Sequence, residues 1–183
     1  MNKTVELSNI AGEIENCKLC KIGKTGKAVV GEGSPDAKIV FIGEAPGKKE
    51  AETGRPFIGR SGQLLRLLIR QIGLSEKDVY ITSPVKYLPL KGTPSESDIA
   101  HGKIHLEKQL EIIGPEIIVL LGSVAARGVL GEKIPINANH GRVIEKNGKK
   151  YFLTFHPAAA LRFVKNKPLL VSDFKKLKTI IRK

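Results

Sequence analysis

The sequence predicts an α/β fold: one three-layer α/β/α domain spanning residues 1–183 around a central, mostly parallel four-stranded sheet. Three observations predict it. Four short runs rich in β-branched and aromatic residues, "AKIVFIG" (37–43), "DVYITS" (78–83), "EIIVLLG" (116–122) and "KYFLTFH" (150–156), are bounded by turn residues, as strands buried on both faces are. Helix-length segments separate them, and strand alternating with helix implies parallel pairing through crossovers. A chain of 183 residues, 41% hydrophobic, can bury one substantial core, and no shift in composition marks a second domain.

The elements follow in order. After the first strand comes "GEAPGKKEAETGRPFIGRSGQLL" (43–65), which holds five glycines, two prolines and three glutamates. A helix over "SGQLLRLLIRQIGL" presents Leu64, Leu65, Leu68, Ile69 and Ile72 on one face. After the second strand, Thr93, Pro94 and Glu96 read as N-cap, first-turn proline and capping-box partner of a helix that Gly114 and Pro115 end. "SVAARGVLG" follows the third strand as a short helix. Asn147 and Gly148 form a hairpin pair, which folds Arg142–Glu145 back antiparallel on residues 150–155. The chain has no internal repeat and no low-complexity segment.

Charge narrows the function classes. Thirty-one Lys and Arg against eighteen Asp and Glu leave +13 at pH 7, with a final run "DFKKLKTIIRK", a field that attracts a polyanion. No apolar run approaches the roughly eighteen residues that cross a bilayer, and the N-terminus lacks the core of a secretory signal, so a cytosolic protein with no membrane partner is expected. The two cysteines, Cys17 and Cys20 in "CKLC", sit too close to staple distant parts of a fold, which turns attention to metal or redox chemistry.

In an open sheet of this kind ligands bind at the carboxyl ends of the strands. The segments leaving those ends are "GEAPGKKE", "SPVKYLPLKGTP", "GSVAA" and "HPAAAL", and all four are expected to meet in one cleft. Gly43, Gly47, Gly54, Gly59 and Gly62 permit positive φ and close approach of a ligand. The stretch is not a phosphate-binding P-loop, because it lacks the Gly-Lys-Ser/Thr ending.

"GEAPGKKEAETGRPFIGRSGQLL", preceded by "VVGEGSPDAKIVFIG" and followed downstream by "HPAAAL", resembles the uracil-DNA glycosylase superfamily, most closely its family 4, the iron–sulfur thermophile type. The resemblance runs from about Cys17 to the end of the chain. It implies hydrolysis of the bond between a deaminated base and deoxyribose after the nucleotide is flipped out of the duplex. By motif position it implies Glu50 as the carboxylate that places water or stabilises the sugar cation, Glu44 as its supporting partner, and His156 as the imidazole facing the base oxygen. Phe57 would stack on the base, with Gly43, Ala45, Gly47 and Ser83 around it. Arg60, Ser61, Lys86, Ser123, Arg162 and Lys165 would meet DNA, and Leu161 or Phe163 would fill the vacated stack. The implied partner is uracil-containing DNA, bound by a monomer, and hydrolysis requires no cofactor.

Two departures stand against that pattern. The family's four-iron cluster uses four cysteines, whereas here Tyr87 and Gly102 occupy the third and fourth positions, so a normal cluster is not expected. Packing in place of a metal is the main expectation. The alternative is a Cys2His2 zinc site that adds His101 and His105, four apart on one helical face, although neither occupies a cysteine position. The other departure is Ser83, which stands where the family has a base-reading asparagine and so weakens discrimination. A second functional reading follows: a relative with lost or altered catalysis that binds DNA to sense damaged bases.

Overall fold

The computed structural model describes residues 2–182; Lys183, the last residue of the basic C-terminal run, lies outside them. In chain order the elements are α1 (Lys3–Asn16), α2 (Lys18–Lys21), β1 (Lys24–Thr25), β2 (Glu32–Gly33), β3 (Ile39–Ile42), α3 (Lys48–Thr53), α4 (Arg60–Gln71), β4 (Val79–Thr82), β5 (Leu88–Pro89), α5 (Glu96–Ile113), β6 (Ile117–Leu121), α6 (Ser123–Leu130), α7 (Ile136–Asn139), β7 (Val143–Lys146), β8 (Lys149–Thr154), α8 (Pro157–Arg162) and α9 (Asn166–Ile181).

The four predicted strands are β3, β4, β6 and β8, and they pair in parallel. The sheet itself has six strands, in the order β2-β4-β3-β6-β8-β7, because an antiparallel strand is added at each edge. The Asn147–Gly148 turn, with φ of 52° and 72°, lays β7 on β8 as the sequence indicates. The other edge, β2, is two residues long and carries no periodicity to read. A separate two-stranded ribbon joins β1 to β5. Helices α4, α8 and α9 pack together, as do α1, α5 and α6, and the sheet lies between the two groups. Phe41 of β3 stacks on Phe174 of α9, with ring centres 6.0 Å apart.

Helix α5 begins two residues later than the sequence reading places it. Ser95, not Thr93, is the N-cap: its side chain accepts from Asp98 N–H, and Asp98 Oδ2 accepts from Ser95 N–H. This second capping box prevails because Asp98 is also paired with the buried ammonium of Lys24. The predicted stop holds, with Gly114 left-handed at φ 66°.

Connections fix where a ligand can enter. From β3 the chain moves through α4 to β4 on one side, and then through α5 to β6 on the other, so strand order reverses between β3 and β6. A cleft opens at the carboxyl ends of two such strands, which here lead into Gly43–Glu44 and Gly122–Ser123.

A Cβ on Gly102, inside α5, would lie 2.0 Å from the carbonyl oxygen of Pro84. An alanine normally gains about 1 kcal/mol over glycine in a helix, but overpacking against backbone costs about 1–3 kcal/mol. Gly102→Ala is therefore expected to lower stability, by up to about 2 kcal/mol, read as a shifted midpoint with unchanged slope in urea unfolding.

Candidate active site

Glu50 is the third residue of α3, whose N-cap is Gly47. Its carboxylate does not cap its own helix. Oε1 accepts from Ile58 N–H at 2.9 Å and from Gly59 N–H at 2.7 Å, and Gly59 is the N-cap of α4. The acid is only 8% exposed. It thus holds the loop between α3 and α4 closed, which sets Phe57.

Phe57 adopts φ 51°, a left-handed backbone uncommon for a residue with a bulky side chain. A Cβ on Gly43 would lie 2.5 Å from the Phe57 ring, and one on Gly62 would lie 2.0 Å from its backbone. Of the five glycines in this stretch only Gly54 has positive φ, so the other four serve close packing, not turning. The Phe57 ring leans on His156, with centres 5.7 Å apart and planes 32° from parallel.

His156 leaves the carboxyl end of β8 and caps α8, with Pro157 at the first helical position. Its Nδ1 accepts from Ala158 N–H at 3.1 Å. In a neutral ring that assignment puts the proton on Nε2. The residue keeps some exposed surface, yet its ring is enclosed enough that burial pushes it down to about 4, against a smaller upward pull from the Glu50 charge. The imidazole is therefore neutral at pH 7, a hydrogen-bond donor through Nε2. Behind it, Thr154 Oγ1 donates to the buried Asp173 at 2.7 Å, and His140 Nδ1 lies 2.9 Å from the same carboxylate, which ties β8 to α9.

Two hollows flank the first turn of α8. One, of about 470 Å³, is lined by Glu50, Lys48, Lys49, Arg60, Ser61, Ala158, Leu161 and Arg162. The other, of about 600 Å³, brings together Glu44, Ser123, Asn137, Phe155, His156, Ala159, Phe163, Lys165 and Asn166. Glu50 and His156 thus line neighbouring hollows on either side of the first turn of α8, and no residue of the segment after β4 lines either one. The four strand-end segments therefore do not meet in the single cleft expected from the sequence: the segment after β4 is held inward by the buried Ser83 and Lys86. The Glu44 carboxyl is raised by desolvation, with Arg127 opposing. Ala45 is half-buried beside it. Leu161 and Phe163 are both exposed, and Val164, which the sequence reading passed over, is 86% exposed. Arg162 lies 5.4 Å from the Phe163 ring centre.

Two expected contacts are not where the sequence put them. Lys86, expected at DNA, is 2% exposed; its ammonium donates to Thr82 Oγ1 and Gln109 Oε1, both at 2.7 Å. Burial pushes it down to about 7. Ser83, expected at the base, is buried and donates its hydroxyl to Val85 O at 2.8 Å. Sequence reasoning missed Lys48 and Lys49, although they immediately precede Glu50. It also missed Arg127 in α6, Asn137 in "KIPINANHG" and Asn166 at the α9 start, none of which carries a local signal.

Away from this cleft, Cys17, Cys20, His101 and His105 place their ligand atoms all within 4.8 Å of one another. These residues do not fit a four-iron cluster. Such a cube binds each thiolate at a different corner, whereas this group is compact, holds only two sulfurs, and has Tyr87 and the sterically closed Gly102 where further thiols belong. No helix among the described residues is long and apolar enough to cross a membrane.

An α/β sheet with a fixed carboxylate and a neutral imidazole near its strand carboxyl ends, rimmed by the five cations Lys48, Lys49, Arg60, Arg162 and Lys165, is suited to hydrolysis on a polyanion. The chain belongs to the Uracil DNA glycosylase superfamily, whose family model matches residues 30–178. The Type-4 uracil-DNA glycosylase of Thermotoga maritima is 40% identical over 185 residues, covering 97% of this chain and 96% of its own. Those of Sulfurisphaera tokodaii and Archaeoglobus fulgidus are 37% and 38% identical, covering 95% and 93% of this chain and 84% and 91% of theirs.

Nitrogen-15 spectra of the imidazoles are expected to show His156 as the neutral Nε2–H form at pH 6, with its midpoint near 4. Because the folded value lies below that of a free imidazole, this group favours the unfolded chain as pH falls from about 6.5 toward 4. A midpoint near 6.5 contradicts the buried, capped geometry.

Proposed function

We propose that the protein is a monofunctional DNA glycosylase that hydrolyses the N-glycosidic bond of uracil in DNA and leaves an abasic site. The observation that carries this reading is an amide-anchored Glu50 carboxylate and a neutral His156 lining neighbouring hollows on either side of the first turn of α8. In glycosidic hydrolysis the bonding electron pair leaves with the base, the sugar becomes oxocarbenium-like, and water adds at its C1′. Glu50 supplies the negative charge on the sugar side: Oε1 is held by two amides, and Oε2 remains for the attacking water. His156 donates Nε2–H to the base oxygen on which negative charge grows, a stabilisation that needs no prior protonation. Glu44, desolvated beside Ser123, supports the same loop. Phe57 stacks on the extruded base between Gly43 and His156, with Ala45 and Gly47 offering backbone contact.

Lys48, Lys49, Arg60 and Arg162, with Ser61, Ser123 and Lys165, form the phosphate-facing rim. Leu161 or Phe163 enters the gap left by the base. DNA is the partner, a single 183-residue domain acting as a monomer suffices, and the reaction needs no dissociable cofactor. The hydroxyl of Ser83, already given to Val85, favours a second reading, in which base selection is relaxed or catalysis is lost and the protein senses damage.

Uracil is expected to be released from single- and double-stranded DNA faster than hypoxanthine or xanthine. Glu50→Gln, which retains an oxygen for the two amides but removes the charge, and His156→Ala are each expected to cost tenfold or more in kcat, about 1.4 kcal/mol of barrier. Release of no base by the wild type favours the second reading. DNA affinity is expected to fall steeply between low and physiological salt; a flat response opposes both readings.

A further inference from the structure

We propose that Cys17, Cys20, His101 and His105 bind one Zn²⁺ ion, in place of both the cluster implied by the family resemblance and a purely packed junction. The inference is independent of the glycosylase chemistry. Cys17 sits between two helices, as C-cap of α1 and N-cap of α2, and Cys20 lies within α2, so the break in the chain turns both thiols toward one point. His101 and His105 are one turn apart on α5, with their rings edge-on at 5.6 Å between centres.

The spacing selects a single ion. Zinc holds thiolate at about 2.3 Å and imidazole at about 2.0–2.1 Å, which at tetrahedral angles separates neighbouring donors by roughly 3.3–3.8 Å. Here Cys17 Sγ lies 3.2 Å from His101 Nε2, and all four donors fall within 4.8 Å of one another. A two-iron centre with the same Cys2His2 set puts the sulfurs on one iron and the imidazoles on the other, and so cannot leave a sulfur and a ring nitrogen this close. The donor set contains no oxygen, which removes magnesium and calcium, and four protein ligands leave no open position for catalysis.

His105 separates a metal site from simple packing. Both of its ring nitrogens are buried without a hydrogen-bond partner. A junction held by packing alone leaves two desolvated polar atoms where a hydrocarbon would fit at lower cost. Glu13 Oε2 stands 3.9 Å from Nδ1, a small side-chain adjustment away from the carboxylate contact that fixes a ligating histidine, which leaves Nε2 for the ion. Ile10, Ile14 and Tyr87 close the apolar side of the site. The ion thus fastens the α1–α2 corner to α5.

The test uses the full chain with any affinity tag removed. Elemental analysis is expected to give one zinc per chain with neither iron nor acid-labile sulfide in stoichiometric amount. Cobalt(II) added to chelator-treated wild type is expected to give the intense visible bands of tetrahedral coordination with thiolate charge transfer. His105→Asn and Cys20→Ser are each expected to abolish those bands. Since either variant can unfold, the melting temperature of chelated wild type is measured beside them and is expected to rise when zinc alone is restored. Stoichiometric iron with sulfide overturns the proposal, as does a metal-free wild type whose spectrum and melting temperature ignore both zinc and cobalt. Full cobalt colour in His105→Asn overturns it also.

Discussion

The carboxylate of Glu50 organises the cleft before any substrate is considered. An acid 8% exposed is tolerated because two backbone N–H groups converge on one of its oxygens. Those amides belong to the segment that ends α3 and begins α4, so one side chain decides the path of six residues of loop. Phe57 lies in the middle of that path, in a backbone conformation its neighbours must enforce, and its ring meets His156. Remove the two amide contacts and both the strained phenylalanine and the imidazole behind it lose their reference. Local architecture hangs on Oε1, and the chemistry proposed above uses Oε2 of the same side chain.

The parallel strands were legible because each is a short uninterrupted apolar run, and the Asn147–Gly148 hairpin because left-handed turns have few sequence solutions. The edge strand β2 and the ribbon β1–β5 were not, since two-residue strands are defined by tertiary pairing alone. At the start of α5 two cap signals overlapped, and a buried ion pair from Lys24 chose between them, a choice made by residues 74 positions apart. In the site, Glu50 and His156 could be found from motif context. Lys86 could not be placed: a lysine beside a strand end reads as a surface cation, and only Gln109 and Thr82, arriving from α5 and β4, turn it inward.

That inward lysine separates the two halves of the molecule's polar interior. Lys86, Thr82 and Gln109 share hydrogen bonds with Val30 O, joining the sheet edge to α5. Next to them in sequence, Tyr87 faces the apolar cluster under α1. Adjacent residues thus anchor the same loop from a hydrogen-bonded network on one side and from the cysteine-bearing corner on the other. The loop after β4 is braced from both sides.

Helix α8 is six residues long and has no slack. The amide of Ala158 in its first turn donates to the imidazole nitrogen, and its last turn carries Leu161 and Arg162 at the rim. The imidazole and the rim residues are therefore joined through less than two turns of helix, so neither can be displaced far without the other.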